Sequence, residues 1–240
     1  MFPFGKKGYC FPVYFVFACI GQQKKKLRVT LQVVQGASAC VFSAFAIPHL
    51  LNTAMAAFGP GVFNGMQRAL RKVYTHPAAE AILLTSGALH VVAGLVRNYR
   101  RSYRLSKFSS TQLHIYTGYA ILAVIGAHVY YTRWFVHLDY KGLVCSLQLS
   151  PYVFPFYYIF LGSIGVIHTI VGLPKALAYV GVRSKIGNEV PRAVVLQGGV
   201  ILIMGGVLAM AGVTRVNGTC TDHPYASVMR QHVPGFLMIK

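Results

Sequence analysis

Five stretches of the chain, at roughly 30–57, 78–96, 113–132, 153–174 and 193–214, are apolar over a length close to or above the ~20 residues a helix needs to cross a bilayer. Lipid offers a backbone N–H or C=O no partner, so segments of this kind close their hydrogen bonds internally as helices. The run 194–213 carries no charge at all. With 55% hydrophobic residues, a mean hydropathy of +0.53 and only four acidic side chains, Glu80, Asp139, Glu189 and Asp222, an ordinary soluble domain is excluded. The expectation is an all-α membrane protein, a five-helix transmembrane bundle over 30–214. It is preceded by an N-terminal interfacial or targeting segment, 1–29, and followed by a C-terminal tail, 215–240.

A net charge of +19 in a soluble protein would point to nucleic acid, but the 23 basic residues crowd the ends of the spans and form no separate basic domain. They read as topology signals and contacts to anionic lipids, with no nucleic-acid partner. Fifteen fall on the side of the N-terminal segment and of the 97–112 and 175–192 loops, and eight on the other. The N-terminus is therefore expected on the cytoplasmic or matrix side.

Within the first four spans lie His49, His90, His128 and His168, each in the second half of its segment. The second and fourth sit in one pattern, Gly87-Ala-Leu-His90-Val-Val-Ala-Gly94 and Gly165-Val-Ile-His168-Thr-Ile-Val-Gly172. Glycines at i−3 and i+4 share the histidine's helical face, so a flat macrocycle is able to approach the backbone there. Imidazole is an axial ligand of haem iron, and facing helices of a bundle are where such sites are built. A single intramembrane histidine also serves as an interhelical hydrogen-bonding group. Four of them, with a repeated motif, favour iron of haem as the bound metal.

Consecutive spans alternate in direction, so His49 and His128 share one level while His90 and His168 share another, roughly 10 to 17 Å away at ~1.5 Å per residue. The near-equal intervals His49 to His90 and His128 to His168 point to an internally duplicated helical pair. Arg97, Arg100, Arg101 and Lys175 lie just beyond the His90/His168 level, where haem propionates are neutralised, and Arg133 lies beyond the other; the same residues also suit lipid phosphates. His114 opens span three beside Gln112, Tyr116 and Tyr119, and His114 with Tyr116 is a candidate quinone seat, although Tyr also collects at membrane interfaces. Glu80, after His76-Pro77 at a helix start, is either a proton relay or an interfacial residue. His76, His137, His223 and His232 fall in loops or the tail and read as solvated. Span five has no histidine, and its Gly198, Gly199, Gly205, Gly206 and Gly212 read as close helix packing.

Cys10, Cys19, Cys40, Cys145 and Cys220 form neither Cys-x-x-Cys nor the Cys-x-x-Cys-His of covalent haem attachment. Any haem is expected to be noncovalent, b-type, and the scatter gives no disulfide framework. The run from Cys10 to Gly21, between lysines, has the length of a signal-peptide core but no small-residue cleavage site, so it reads as retained at the interface. Asn217-Gly218-Thr219 matches a glycosylation sequon.

Five spans, a deep histidine on each of the first four, first cross-paired with third and second with fourth: this resembles the single-chain dihaem cytochrome b membrane anchor of succinate dehydrogenases and fumarate reductases. The resemblance covers most of residues 30–214. It implies that His90 and His168 ligate the haem proximal to an iron–sulfur subunit and His49 and His128 the distal one. It further implies one or two b haems, ubiquinone or a related quinone, iron–sulfur and flavoprotein partners, and no complete active site in this chain alone. Mitochondrial complex II usually divides its anchor between two smaller subunits with one haem, so a second anchor subunit is also left open. The expected home is the mitochondrial inner membrane or, alternatively, a bacterial cytoplasmic membrane. Locally, Tyr74-Thr-His-Pro-Ala-Ala-Glu80, Arg97-Asn-Tyr-Arg-Arg101 and Thr117-Gly118-Tyr119 also resemble a family of duplicated-helix mitochondrial multi-span proteins linked to haem and lipid homeostasis. That second resemblance, and a non-haem structural subunit of a respiratory complex, are the alternatives.

Overall fold

The computed structural model describes residues 11–99, 109–135, 139–182 and 192–212 and the isolated positions 227 and 231; side chains are described from residue 26, save at 134, 135, 192 and 212. Among the described residues there is no strand. The α-helices are α1 (Phe11–Met55), α2 (Pro60–Tyr74), α3 (Pro77–Tyr99), α4 (Ser110–Tyr130), α5 (Tyr140–Leu149), α6 (Phe154–Tyr179) and α7 (Arg192–Gly212). Five segments are long and apolar enough to cross a membrane: Lys26–Phe58, Pro77–Tyr99, Ser110–Arg133, Phe154–Tyr179 and Ala193–Ala211. They agree with the five apolar stretches to within a few residues, and the protein is an integral membrane protein of all-α class. Large apolar side chains such as Ile82, Val92, Phe156, Ile201 and Leu208 stand exposed on the outside of the bundle, as a lipid solvent requires.

The segment read as a separate interfacial stretch belongs, from Phe11 onward, to α1. At ~1.5 Å per residue this 45-residue helix extends far beyond the ~30 Å hydrocarbon core. The lysines between the short apolar run and the span are good helix formers, so nothing there breaks the helix. Residues 1–10 and the tail 215–226, with the sequon, lie outside the described residues, as do Arg100, Arg101, His137, His223 and His232.

Two connections read as loops are short helices, both on the face away from the N-terminus. Gly59, at φ +97°, takes the left-handed turn that a side chain disfavours, and Pro60 follows at the first helical position, where its missing N–H is harmless. The fixed φ of Pro60 starts α2. At α5, the Asp139 carboxylate accepts from the Gly142 N–H at 2.8 Å, capping the helix. The Tyr140 N–H donates to Asn64 Oδ1 at 2.9 Å and ties α5 to α2. The chain thus runs as two like units, span, short helix, span: α1–α2–α3 and α4–α5–α6.

Within the units α1 packs on α3 and α4 on α6; α1 against α6 joins them, and α7 lies over both. At the join, a Cβ on Gly36 would come within 2.8 Å of the Tyr179 Cβ, so glycine is needed for that approach. Between α3 and α4 there is no extended packing. They are bridged near their ends, by Glu80 with Arg133 on the far side and by Asn98 Nδ2 donating to the Tyr119 hydroxyl at 2.6 Å on the near side. A buried apolar cluster of Phe63, Tyr140, Val144, Leu147, Val207 and Met210 closes the far end. Cys145, fully buried in α5, is disulfide-bonded, which the dispersed cysteine spacing did not reveal because such a bond depends on proximity in space.

Of the span-five glycines, Gly199 faces Val166 and Gly206 meets the Thr53 backbone, while Gly198 and Gly205 have nothing within 4 Å; Gly212 has no described side-chain environment. Gly206→Ala is expected to destabilise the bundle by ~1–3 kcal/mol, the usual cost of overpacking, because backbone cannot yield as a side chain can. Gly205→Ala is the control expected to be silent. Unfolding in mild detergent with denaturant would measure both.

Candidate functional site

A single continuous cavity of about 1840 Å³ runs through the bundle, exceeding the ~300–1,000 Å³ of most small-molecule sites. Its walls come from α1, α3, α4 and α6, with α2 lining the far end through Phe63, Gln67, Leu70, Arg71 and Tyr74, one face of that amphipathic helix. His49, His90, His114, His128 and His168 all line it, as do Gly87, Gly94, Gly165, Gly172, Arg97 and Arg133. Tyr116 does not; it is 56% exposed on the outer surface of α4. The sequence-derived pair of His114 and Tyr116 is therefore not brought together in one pocket.

The four span histidines meet in two pairs. At the far level the His49 and His128 ring centroids are 6.1 Å apart with planes at 72°, and at the near level those of His90 and His168 are 6.0 Å apart at 87°. Two imidazoles on opposite sides of one iron, with nitrogen–metal distances of ~2.0–2.1 Å, place their ring centroids about 6 Å apart. Both pairs match that spacing. Counted along α1 from Gln35 to His49 and along α6 from Tyr157 to His168, at ~1.5 Å per residue, the levels are ~16 to 21 Å apart.

Three of these rings are fixed through Nδ1. His90 Nδ1 donates to the Gln35 carbonyl (3.3 Å), His168 Nδ1 to the His114 carbonyl (3.1 Å), and His128 Nδ1 shares a hydrogen bond with the Tyr157 hydroxyl (3.1 Å). His49 is held by stacking on Phe45, with centroids 5.2 Å apart, and Phe45 in turn meets Tyr74 edge-on. Occupying Nδ1 leaves Nε2 as the nitrogen available to a ligand, the arrangement by which metal-binding histidines are oriented. Among the described residues no three or more His, Cys, Asp and Glu side chains group to hold a bare metal ion, whereas haem asks the protein for only two axial nitrogens. The donor set, its spacing and the cavity all fit haem.

The glycines flanking His90 and His168 do line the cavity, but each also has a protein side chain over it. Gln35 covers Gly94, Phe42 lies against Gly87, Leu50 against Gly165, and the His114 ring sits on Gly172. Of the cationic candidates, Arg97 donates to Gln35 Oε1 and to the Tyr179 hydroxyl, at 3.0 Å in the latter case, and stacks on the Tyr179 ring. It remains at the near mouth of the cavity. Arg133 is engaged by Glu80 through two hydrogen bonds, at 2.5 and 2.9 Å, so its charge is already balanced. Glu80 is thus an interhelical ion-pair partner. Lys175 donates to Thr111 Oγ1 at 3.2 Å at the near end. On α2, outside the spans, burial pushes the Tyr74 phenol up, and the nearby Arg71 opposes this.

Gln35, Tyr157 and Arg71 were missed from sequence. Gln35 was the detectable one, as a polar side chain inside an apolar span; Tyr157 lies in an aromatic run and Arg71 in a segment read as loop. If the two levels hold haem, Tyr157→Phe is expected to weaken its binding at the His49/His128 level by ~10–100-fold while sparing the other, the usual effect of removing a ligand's supporting hydrogen bond. Titrating haem into the haem-free variant would measure it. No family model, curated protein or solved structure matches the chain.

Proposed function

We propose that the chain is a dihaem b-type membrane cytochrome, acting as the membrane anchor of a succinate:quinone oxidoreductase. The observation that carries the reading is the pair of imidazole pairs, each about 6 Å between centroids, at two levels of one cavity. Haem b held at such sites supplies reversible one-electron chemistry at iron. The chain's own residues do the rest: Gln35, His114 and Tyr157 aim the imidazoles, and the apolar walls keep water from them. Arg97 stands at the near mouth to meet an anionic edge group.

The redox-anchor assignment rests on the resemblance of span count and histidine placement to the dihaem anchors. Fifteen of the 23 basic residues belong, by sequence, to the segments on the N-terminal side of the spans, which supports both a matrix or cytoplasmic N-terminus and docking of acidic iron–sulfur and flavoprotein subunits there. The disulfide at Cys145 supports an oxidising compartment on the opposite face, since such bonds persist in that setting. A mitochondrial inner membrane accommodates both. Quinone, the acceptor in the resembling family, belongs in this reading at the near mouth, beside His114 and Lys175.

The purified protein is expected to show a bis-histidine low-spin spectrum with two components and to release its haem into acidic acetone. Ring planes at 72° and 87° would leave two d-orbitals of a bound iron close in energy, so the ferric signals should be highly anisotropic. His90→Ala and His168→Ala are expected to remove one component, and His49→Ala and His128→Ala the other, in a redox titration. Folded, unheated protein without haem overturns the cytochrome reading. Mild-detergent isolation should bring down flavoprotein and iron–sulfur subunits, with succinate reducing the haem. Intact isolation without them, from membranes whose succinate dehydrogenase activity survives deletion of the chain, favours the haem- and lipid-homeostasis reading instead.

A further inference from the structure

His114 lines the cavity but belongs to neither ligand pair, and its surroundings follow a repeated spacing. On α4 the sequence reads His114-Ile-Tyr-Thr-Gly118, and on α6 it reads His168-Thr-Ile-Val-Gly172, each histidine four residues before a glycine. The two copies face each other. His114 Nδ1 donates to the His168 carbonyl and His168 Nδ1 to the His114 carbonyl, both at 3.1 Å. Their rings stack with centroids 3.9 Å apart and planes 20° from parallel.

The glycines make this possible. A Cβ on Gly172 would overlap the His114 ring, and one on Gly118 would lie 3.0 Å from His168 Cε1. Each imidazole occupies the space left by the other helix's glycine. A carbonyl oxygen only accepts, so both rings carry their proton on Nδ1. Thr117 Oγ1, 3.3 Å from His168 Nδ1, backs the same atom and is itself bonded to the α4 backbone.

The geometry points to His114 as a positioning residue for His168: with Gly118 and Gly172 it forms a reciprocal clamp between α4 and α6 that fixes the plane and tautomer of the near-level ligand. This deepens the proposed function and rests on it, because it takes His168 as an iron ligand. The clamp holds the His168 plane at 87° to that of His90. The far level is built differently, since His128 leans on a rotatable hydroxyl, Tyr157, with no second imidazole among the described residues stacked on it. One ligand plane is therefore set by two helix backbones and the other by a side chain.

Low-temperature electron paramagnetic resonance and redox titration of the full chain test this, on wild type, His114→Ala, His114→Phe, Gly118→Ala and His168→Ala. Wild type without any haem signal overturns the cytochrome reading itself, and is distinguished from failure of the clamp by that absence. With haem present, His114→Ala and Gly118→Ala should each lower the largest g value and shift the midpoint of one component. It should be the component that His168→Ala eliminates, with the other unchanged and total haem retained. His114→Phe keeps the stack and should restore most of the wild-type signal. Wild-type g values and midpoints in folded His114→Ala overturn the clamp, as does an equal shift of both components, which marks general loosening of the bundle. If His114→Ala does not fold, Gly118→Ala carries the same reading, because it disturbs the His168 ring without deleting a polar group.

Discussion

An imidazole inside a bilayer has two nitrogens and no water, and this constraint organises the bundle. Leaving a polar group unpaired in such surroundings costs several kcal/mol, of order 2–7. His90, His128 and His168 each give Nδ1 to a group on another helix: the Gln35 carbonyl of α1, the Tyr157 hydroxyl of α6 and the His114 carbonyl of α4. Each of these bonds crosses a helix boundary, so satisfying the ring also fixes how α1 meets α3 and how α4 meets α6. The four rings lie in two pairs along one cavity, and orientation of the imidazoles and packing of the helices become the same problem.

Close approach at α1 and α6 makes this arrangement sterically possible. Gly36 lets α1 rest on the Ala176 and Tyr179 positions of α6, and the far half of the same pair meets through Gly165 and Leu50. With the two units joined along that line, α3 and α4 flank the cavity. Among its described side chains α7 adds no polar group to the cavity; it seals the back of the join through Gly199 and Gly206, and α5 closes the far end with side chains as fully buried as Val144 and Leu147. Stability is thus concentrated on one side of the bundle and the chemistry on the other.

The spans were legible because membrane insertion writes itself into composition over ~20 residues, and the histidine pairing followed from alternating direction alone. The short helices were not legible: α2 and α5 begin with local devices, Pro60 after a left-handed glycine and the Asp139 cap, inside segments whose polarity resembles a loop. The role of the glycines was only partly legible. Spacing placed Gly172 on the His168 face, but it could not say that His114 from another helix would lie there. Arg133 was read by its position at the end of a span, whereas its partner, Glu80, is brought near only by the antiparallel run of α3 and α4. Short-range patterns survive in sequence; pairings across dozens of residues require the fold.

The sparsely packed line between α3 and α4 has a consequence for biogenesis. Two neighbouring helices bridged by polar groups near their ends can be inserted, and even paired with their own partners, before anything occupies the space between them. A rigid macrocycle is too wide to thread through a bundle already packed on every side, yet it can slide edge-on from the lipid through a side that is merely latched. If the cavity takes up haem as proposed, the last assembly step would be lateral, with the membrane itself as the compartment from which the fold is completed.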